Sequence, residues 1–500
     1  MSDKRNLLTT EDIPKLMENK IIKLKINDIK IDYDIYPRQR LSHKTISAYQ
    51  ESLKAGAKFP SILIQKILDN GKEKIIIIDG LHRLEAFKEN KENEIEIKYW
   101  KDEVLDKYRY LKELRIESIK RNLIHGDRLS NPDRENMCRK MAEDDSEITI
   151  TYEEFGKIFN VTHPTIKNWI GDIRAKQKGS RDNLIYKLHM LGWGPSEISM
   201  VINLNISSIS TKISKFKEFT KSKKSEFESG KTIKQIAEYE GLDLITTWAI
   251  ILSGKSDIER FKLLGFIEDE GDKESWSTPK MYDIWNYPEP HSLMGNKNYP
   301  GMVQGQVVMN LLYYYTNPND LVVDLMAGSG TVVDTCLLMG RRCYCFDNHP
   351  ERNKKYGSER KDIIRHDWYK NGFPDKAKKA DFIFLDPPYF KKKEDEYDID
   401  SISALDREKY LQAFHKLAKM TKGYRVALIM GKYYDYNNPK NSIFLKHYIN
   451  IFEEHNHVQV NEIGANYSPA VVKGGYKILR NRESKKIEIL KRDLVIFESA

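Results

Sequence analysis

The stretch "DFIFLDPPYF" at residues 381–390 ends an apolar run, Phe382 to Leu385, on a carboxylate, two prolines and a phenol. Adjacent prolines have no N–H to give a ladder, so a strand must stop there. Asp386, Pro387 and Tyr389 then stand together at the tip of a buried strand, an acid and a ring on a rigid turn. A second stretch, "NDLVVDLMAGSGTVVDTCLLMGRRCYCFDNHPERN" at 319–353, reads as a strand (Leu321 to Leu325), a glycine loop, a helix and a second strand ending at Asp347. The loop is Ala327, Gly328, Ser329 and Gly330, preceded by Asp324. Glycines between strand and helix let a ligand approach the backbone and meet a helix N-terminus. An acid ending the next strand suits the two hydroxyls of a ribose. Asp367, in "IIRHDW", falls where a third strand should end, and its carboxylate can accept from the exocyclic amine of a purine.

Each feature has a plain explanation alone, since glycine loops are common and an acid after a strand often caps a helix. In an open parallel sheet, however, these strand ends converge on one crevice. A nucleoside cofactor fits the set. A nicotinamide dinucleotide fits less well, because only two of the three fingerprint glycines are present.

In this order the motifs resemble those of S-adenosylmethionine-dependent DNA amino-methyltransferases, the enzymes of adenine N6 and cytosine N4, over residues 276–500. The resemblance implies that Asp324, Ala327, Gly328 and Gly330 hold the methionine end of the cofactor, Asp347 its ribose and Asp367 its adenine. It implies that "NYPGMVQGQVVMNLLYYYTNPND" supplies a helix whose start lines the same site, in the gamma-type motif order. One departure is Asp324-Leu325-Met326, where the family usually has Asp-Pro-Phe.

The chemistry follows from the target. The lone pair of a base amine is delocalised into the ring, so the amine is a poor nucleophile. Acceptance of its hydrogens by the Asp386 carboxylate and the Pro387 carbonyl favours a pyramidal nitrogen. Tyr389 would stack on a base flipped out of the duplex. An Asp at the first motif position leans towards adenine. Lys391 and Lys392, in "FKKKEDE", would clamp phosphates beside the flipped nucleotide, a solvated loop being the alternative.

Other elements must position these residues. The last residues, "KKIEILKRDLVIFESA", alternate twice and read as a hairpin closing the sheet, and 433–475 leave room for only a small target-recognition element. The region 106–266 is helical and carries a repeat. From Phe155, Ile198 and Ile236 as origins, the next residue is small (Gly156, Ser199, Ala237), and five positions on stand Asn160, Asn203 and Gly241, types that tolerate a left-handed turn. This is a helix-turn-helix layout. Second helices would show Thr165, Lys167 and Asn168, then Ser207, Ser208, Ser210 and Lys212, to a DNA groove, while the third unit reads as scaffolding. A plain helical connector is the alternative. The acidic segment 267–275 is the expected boundary between this region and the 276–500 domain.

Residues 1–105 read as short strands mixed with helices. "IDGLHRLEAFKE" at 78–89 places Gly80, His82 and Arg83 at the start of a helix, and Arg38 lies upstream, an arrangement suited to phosphate. Taken alone, it reads rather as a turn whose His and Arg pair with local acids. Gly80-x-His82-Arg83-x-x-Ala86 resembles the glycine-arginine stretch of ParB-like N-terminal domains, a fold shared with sulfiredoxin. That resemblance implies binding of CTP, ATP or DNA.

The fold class expected is multidomain α/β: a ParB-like α+β domain, a helical middle and a doubly wound parallel Rossmann-like sheet. A net charge of +9 fits a polyanionic partner, here double-stranded DNA, with a homodimer left open. Four cysteines, three of them clustered (Cys336, Cys343, Cys345), read as structural thiols of a reducing cytoplasm rather than disulfides or a metal site. The N-terminus lacks an apolar signal region and no apolar run reaches membrane-spanning length. The alternative to an enzyme is a nucleotide-gated, ParB-like partition or regulatory protein whose methyltransferase domain has decayed.

Overall fold

The computed structural model describes residues 22–124, 129–266, 279–391 apart from 286 and 288, 401–466 and 491–500. The acidic segment 267–275, Lys392 and the first part of the expected closing hairpin lie outside the described residues. Two compact units divide the chain, residues 1–178 and 179–500.

Among the described residues, the first unit has six short strands: β1 (Ile22–Lys25), β2 (Ile29–Lys30), β3 (Ile62–Asp69), β4 (Lys72–Asp79), β5 (Glu94–Tyr99) and β6 (Leu105–Asp106). Their order is β1-β5-β3-β4-β2, with β6 also on β3. β3 and β4 form a hairpin across Asn70-Gly71, both left-handed (φ 50° and 76°), the turn that matches the strand twist. Helices α1 (His43–Lys54) and α2 (Leu81–Glu89) pack beside this sheet, followed by α3 (Leu111–Ile124), α4 (Asn131–Asp144) and α5 (Tyr152–Phe159). The long α6 (His163–Met190) contributes residues to both units.

Three helix pairs follow the repeat. They are α5 with α6, α7 (Pro195–Ile202) with α8 (Ile206–Glu228), and α9 (Ile233–Glu240) with α10 (Leu244–Leu252). Their first helices end at Asn160, Asn203 and Gly241, which are left-handed at φ 51°, 48° and 68°. Side-chain caps start the helices: Thr151 with Glu154 on α5, Asn205 on α8, Thr232 with Gln235 on α9 and Asp243 on α10. Phe155, Phe159, Ile166 and Ile170 of the first pair share one core with Ile119 and Met137.

The second unit adds α11 (Asp257–Leu263), β7 (Ile284–Trp285), α12 (Gly305–Tyr315), β8 (Leu321–Asp324), α13 (Thr331–Met339), β9 (Arg342–Asp347), β10 (Ile363–Arg365) and α14 (Trp368–Asn371). It continues through β11 (Phe382–Leu385), α15 (Arg407–Met420), β12 (Arg425–Met430), α16 (Leu445–Glu454), β13 (His457–Asn466) and β14 (Lys491–Ser499). The sheet order is β10-β9-β8-β11-β12-β14-β13-β7. Strands β10 to β12 pair in parallel, as apolar runs joined by helices must.

The sheet is mixed, not wholly parallel as expected. β14 runs antiparallel between β12 and β13. Of the expected closing hairpin, residues 491–499 form β14, which also pairs with β13 from earlier in the chain; the other arm lies outside the described residues. Alternate residues face opposite sides. Val322, Phe382 and Phe384 join one core with α12 and α13, whereas Val323, Ile383 and Leu385 join another with α15 and α16.

The helical span 106–266 is shared between the two units. From α6 onward its apolar residues, including Leu188, Ile198, Ala249 and Leu252, enter the core beneath α12 and α13. Arg341, with no exposed surface, bonds Asp257 of α11 and the carbonyls of Leu312 and Thr316. Among the described residues no helix is long and apolar enough to cross a membrane.

Gly241 combines a left-handed backbone with a close approach. A β-carbon there would lie 3.4 Å from the Cα of Gly179. Gly241→Val should cost about 1–2 kcal/mol from the left-handed backbone, measured by urea unfolding. A cost near zero would show that this turn can relax without loss.

Candidate active site

The order β9-β8-β11 marks the point where the chain changes direction across the sheet, and a crevice opens there at the strands' carboxyl ends. Its lining includes Asp324, Ala327, Gly328, Asp347, Asp367 and Asp386. Gly330, Pro387 and Tyr389 are outside that lining, while Pro388 is part of it.

Asp347 ends β9 and is gripped by the loop beside it. The Gly328 N–H donates to Oδ2 at 2.9 Å and the His349 N–H to Oδ1 at 2.8 Å. Burial pushes its carboxyl above the ordinary range, and those two N–H groups oppose the shift. Asp324 is 2% exposed and accepts from the Met326 N–H at 2.8 Å. Burial raises it well above an ordinary carboxyl, and the nearby Asp386 and Asp347 add repulsion. Leu325 is buried in the core below and Met326 packs against it, and both reach the crevice lining.

Gly330 has a different task. It is left-handed at φ 80°, and a β-carbon on it would sit 2.3 Å from the guanidinium carbon of Arg360. Asp367 is a helix cap as well as a lining residue: it accepts from the Tyr369 and Lys370 N–H groups at 3.0 and 3.1 Å, at the start of α14.

Tyr389 donates its phenol to Asp386 Oδ1 at 3.1 Å. Its ring lies against Gly431, where a β-carbon would meet it at 3.0 Å, and the Arg492 guanidinium stands 6.0 Å from the ring centre. The Tyr410 phenol donates to the Pro388 carbonyl at 3.0 Å and so pins the turn from below. Lys391 follows in a left-handed conformation, its N–H donating to the Ser403 carbonyl at 3.3 Å.

Residues 199–356 match the model of the N6/N4 DNA methylase family. The matched segment begins within α7, holds α8 to α13 and the glycine loop, and ends before Asp386. Similar solved structures include a protein of Pyrococcus horikoshii described as an RNA methyltransferase, at 17% identity and a TM-score of 0.27, covering 42% of this chain and 93% of that one. They also include the truncated chromosome-partitioning protein ParB of Caulobacter crescentus in complex with the centromeric parS site (11%, 0.22, 38% and 97%). A third is a protein of Galdieria sulphuraria described as a sarcosine dimethylglycine methyltransferase (14%, 0.25, 36% and 78%). No curated protein matches the chain.

Outside the methylase match, Lys167 and Asn168 are exposed near the start of α6, and the Thr165 hydroxyl bonds that of Thr162 at 3.0 Å. Ser208 is half-buried with its N–H capped by Asn205, and Lys212 pairs with Asp182 at 2.7 Å. In the first unit Arg38 is buried, and His82 Nε2 accepts from the Ser42 N–H at 3.0 Å. Gly80 starts α2, and Arg83 donates to Asp79 at 2.8 Å and to the carbonyls of Pro60 and Ser61 at 2.6 and 3.2 Å. The turn is thus closed by its own partners.

Sequence reasoning did not single out Tyr299, Trp368, Ser401 or Ile402, which also line the crevice. Only Tyr299 carried a signal, through the segment "NYPGM" ahead of α12. The glycine after β12, Gly431, was a second legible mark.

The buried Asp324 makes a pH prediction. Its folded pKa lies above the ordinary value of 3.8, so its contribution to stability is full below that value and is lost as pH rises through the raised one. Asp324→Asn removes this ionisation. Urea denaturation from acidic to neutral pH should show the variant gaining on the wild type as pH rises, and parallel profiles would refute the assignment.

Proposed function

We propose that the chain is a DNA methyltransferase that transfers the methyl group of S-adenosylmethionine to an exocyclic base amine, with adenine N6 preferred. The observation that carries this reading is the opening of Asp386 onto the same crevice as Asp324, Gly328 and Asp347. The match of residues 199–356 to DNA methylases supports it.

The residues present fit the cofactor. Asp347 carries a carboxylate for ribose hydroxyls, Asp367 an acceptor for an adenine amine, and Met326, Trp368 and Phe384 give an apolar lining. Asp324, Ala327 and Gly328 would hold the methionine end, with Gly330 shaping the loop from behind. When bound, S-adenosylmethionine supplies an electrophilic sulfonium methyl group.

The chain's own groups prepare the nucleophile. Asp386 and the Pro387 carbonyl accept the amine hydrogens and direct its lone pair, at no cost of reorganisation because two prolines set the turn. The Tyr389 phenol on Oδ1 orients the Asp386 carboxylate, and the Tyr410 bond to Pro388 holds the loop. Tyr389, backed by Gly431, serves as the face on which the extruded base rests.

The DNA duplex is gripped by the helix pairs, through Thr165, Lys167 and Asn168 on α6 and Ser208 and Lys212 on α8, with Lys391 and Lys392 as further phosphate contacts. In the first unit a nucleotide or DNA phosphate would be received by Arg38, Gly80, His82 and Arg83, in competition with Asp79 for Arg83.

Incubation with duplex DNA and labelled S-adenosylmethionine, followed by nucleoside analysis, should yield N6-methyladenine. Asp386→Ala should lower transfer about 100-fold or more while leaving cofactor affinity near that of the wild type. No transfer by a protein that binds the cofactor would end the enzyme reading, and N4-methylcytosine would reassign the base. Lys167→Ala should weaken binding to all duplex sequences and lower the salt slope by about 1. Titration of CTP and ATP against wild type and Arg83→Ala tests the first unit. If neither nucleotide binds, that unit is a DNA-docking module alone.

A further inference from the structure

Behind the glycine loop lies a buried cluster of two cations and two anions that the chemistry above does not use. The Arg360 guanidinium bonds both oxygens of Asp334 at 2.9 Å, and both of Asp362 at 2.9 and 3.0 Å. Lys187 of α6 closes the set, 2.6 Å from Asp362 and 3.3 Å from Asp334. Burial works against ionisation of Asp362, but Arg360 and Lys187 outweigh it and hold the carboxyl below the ordinary range.

The cluster reaches two walls of the crevice. Arg360 Nη2 donates to the Gly330 carbonyl at 3.2 Å, under the loop. Asp334 Oδ2 accepts from the Gly295 N–H at 2.9 Å, at the root of the segment whose Tyr299 to Val303 line the crevice. The left-handed backbone at 330 (φ 80°) favours glycine, and a β-carbon there would also press on the guanidinium.

We propose that Arg360 is the positioning residue of the cofactor loop: it anchors the Gly330 carbonyl and, through Asp334, the segment 295–303, so that cofactor affinity depends on it although it does not line the crevice. The role rests on the methyltransferase reading for its ligand. Lys187 acts as charge balance only.

Removing one partner would leave a buried charge and endanger the fold. Two neutral double variants avoid that. Arg360→Met with Asp362→Asn keeps the Lys187–Asp334 pair but loses the anchor. Lys187→Met with Asp362→Asn keeps Arg360, Asp334 and the anchor. Both need checking for a wild-type far-UV spectrum. The first should bind S-adenosylmethionine about 10-fold more weakly by calorimetry, with KM for the cofactor raised and kcat at saturation little changed. Hydrogen exchange of residues 325–334 should be faster in it alone. The second should match the wild type in both readouts. Equal affinity and equal exchange in the two variants would overturn the proposal. If the wild type binds no S-adenosylmethionine, the methyltransferase reading falls, and the exchange contrast still decides whether Arg360 positions the loop.

Discussion

The crevice depends on one pairing, β11 laid parallel beside β8. The register sets Phe382 against Val322 and Phe384 against Asp324, so Asp386 emerges just beyond the glycine loop. Both strands are buried on both faces, and a slip of one residue would exchange the two cores on either side of the sheet. That penalty holds the acid and the loop in one register. The prolines then need only end the strand, and the turn they make already faces the right way.

Carboxylates crowd this end of the sheet, and the fold handles each differently. Asp347 is satisfied by backbone N–H groups, Asp367 by capping α14, and Asp386 by the Tyr389 phenol. Asp324, with little solvent and two acids nearby, is pushed towards its neutral form. Below the loop the opposite solution appears, with Asp334 and Asp362 each paired to both Arg360 and Lys187. A buried charge is tolerated only where its partner is also held, and here the partners come from distant parts of the chain.

The helices from α7 to α11 belong with this sheet. Trp193 donates to the Cys343 carbonyl at 3.0 Å, the Cys343 N–H donates to the Leu191 carbonyl at 2.9 Å, and Tyr344 donates to both oxygens of Glu197. β9, whose end carries Asp347, is thus braced at its start by the segment before α7. The third helix pair is buried against the core of α13 through Ala249 and Leu252 of its second helix.

Local chemistry by itself determined the strand ends, the glycine loop and the three left-handed turns. Apolar runs stopped by Asp, Gly or Pro, and Asn160, Asn203 and Gly241, each five residues after its repeat's origin, depend only on backbone sterics within a few residues. What only the tertiary structure decided were the pairs between residues far apart. β14 entering antiparallel between β12 and β13 and the filling of the space behind Gly330 by Arg360 are examples. The same holds for Arg83, which besides the nearby Asp79 takes the carbonyls of Pro60 and Ser61, more than twenty residues earlier. A charged side chain takes the partner that the packed chain brings within hydrogen-bond reach, and no local pattern of residues encodes that distance.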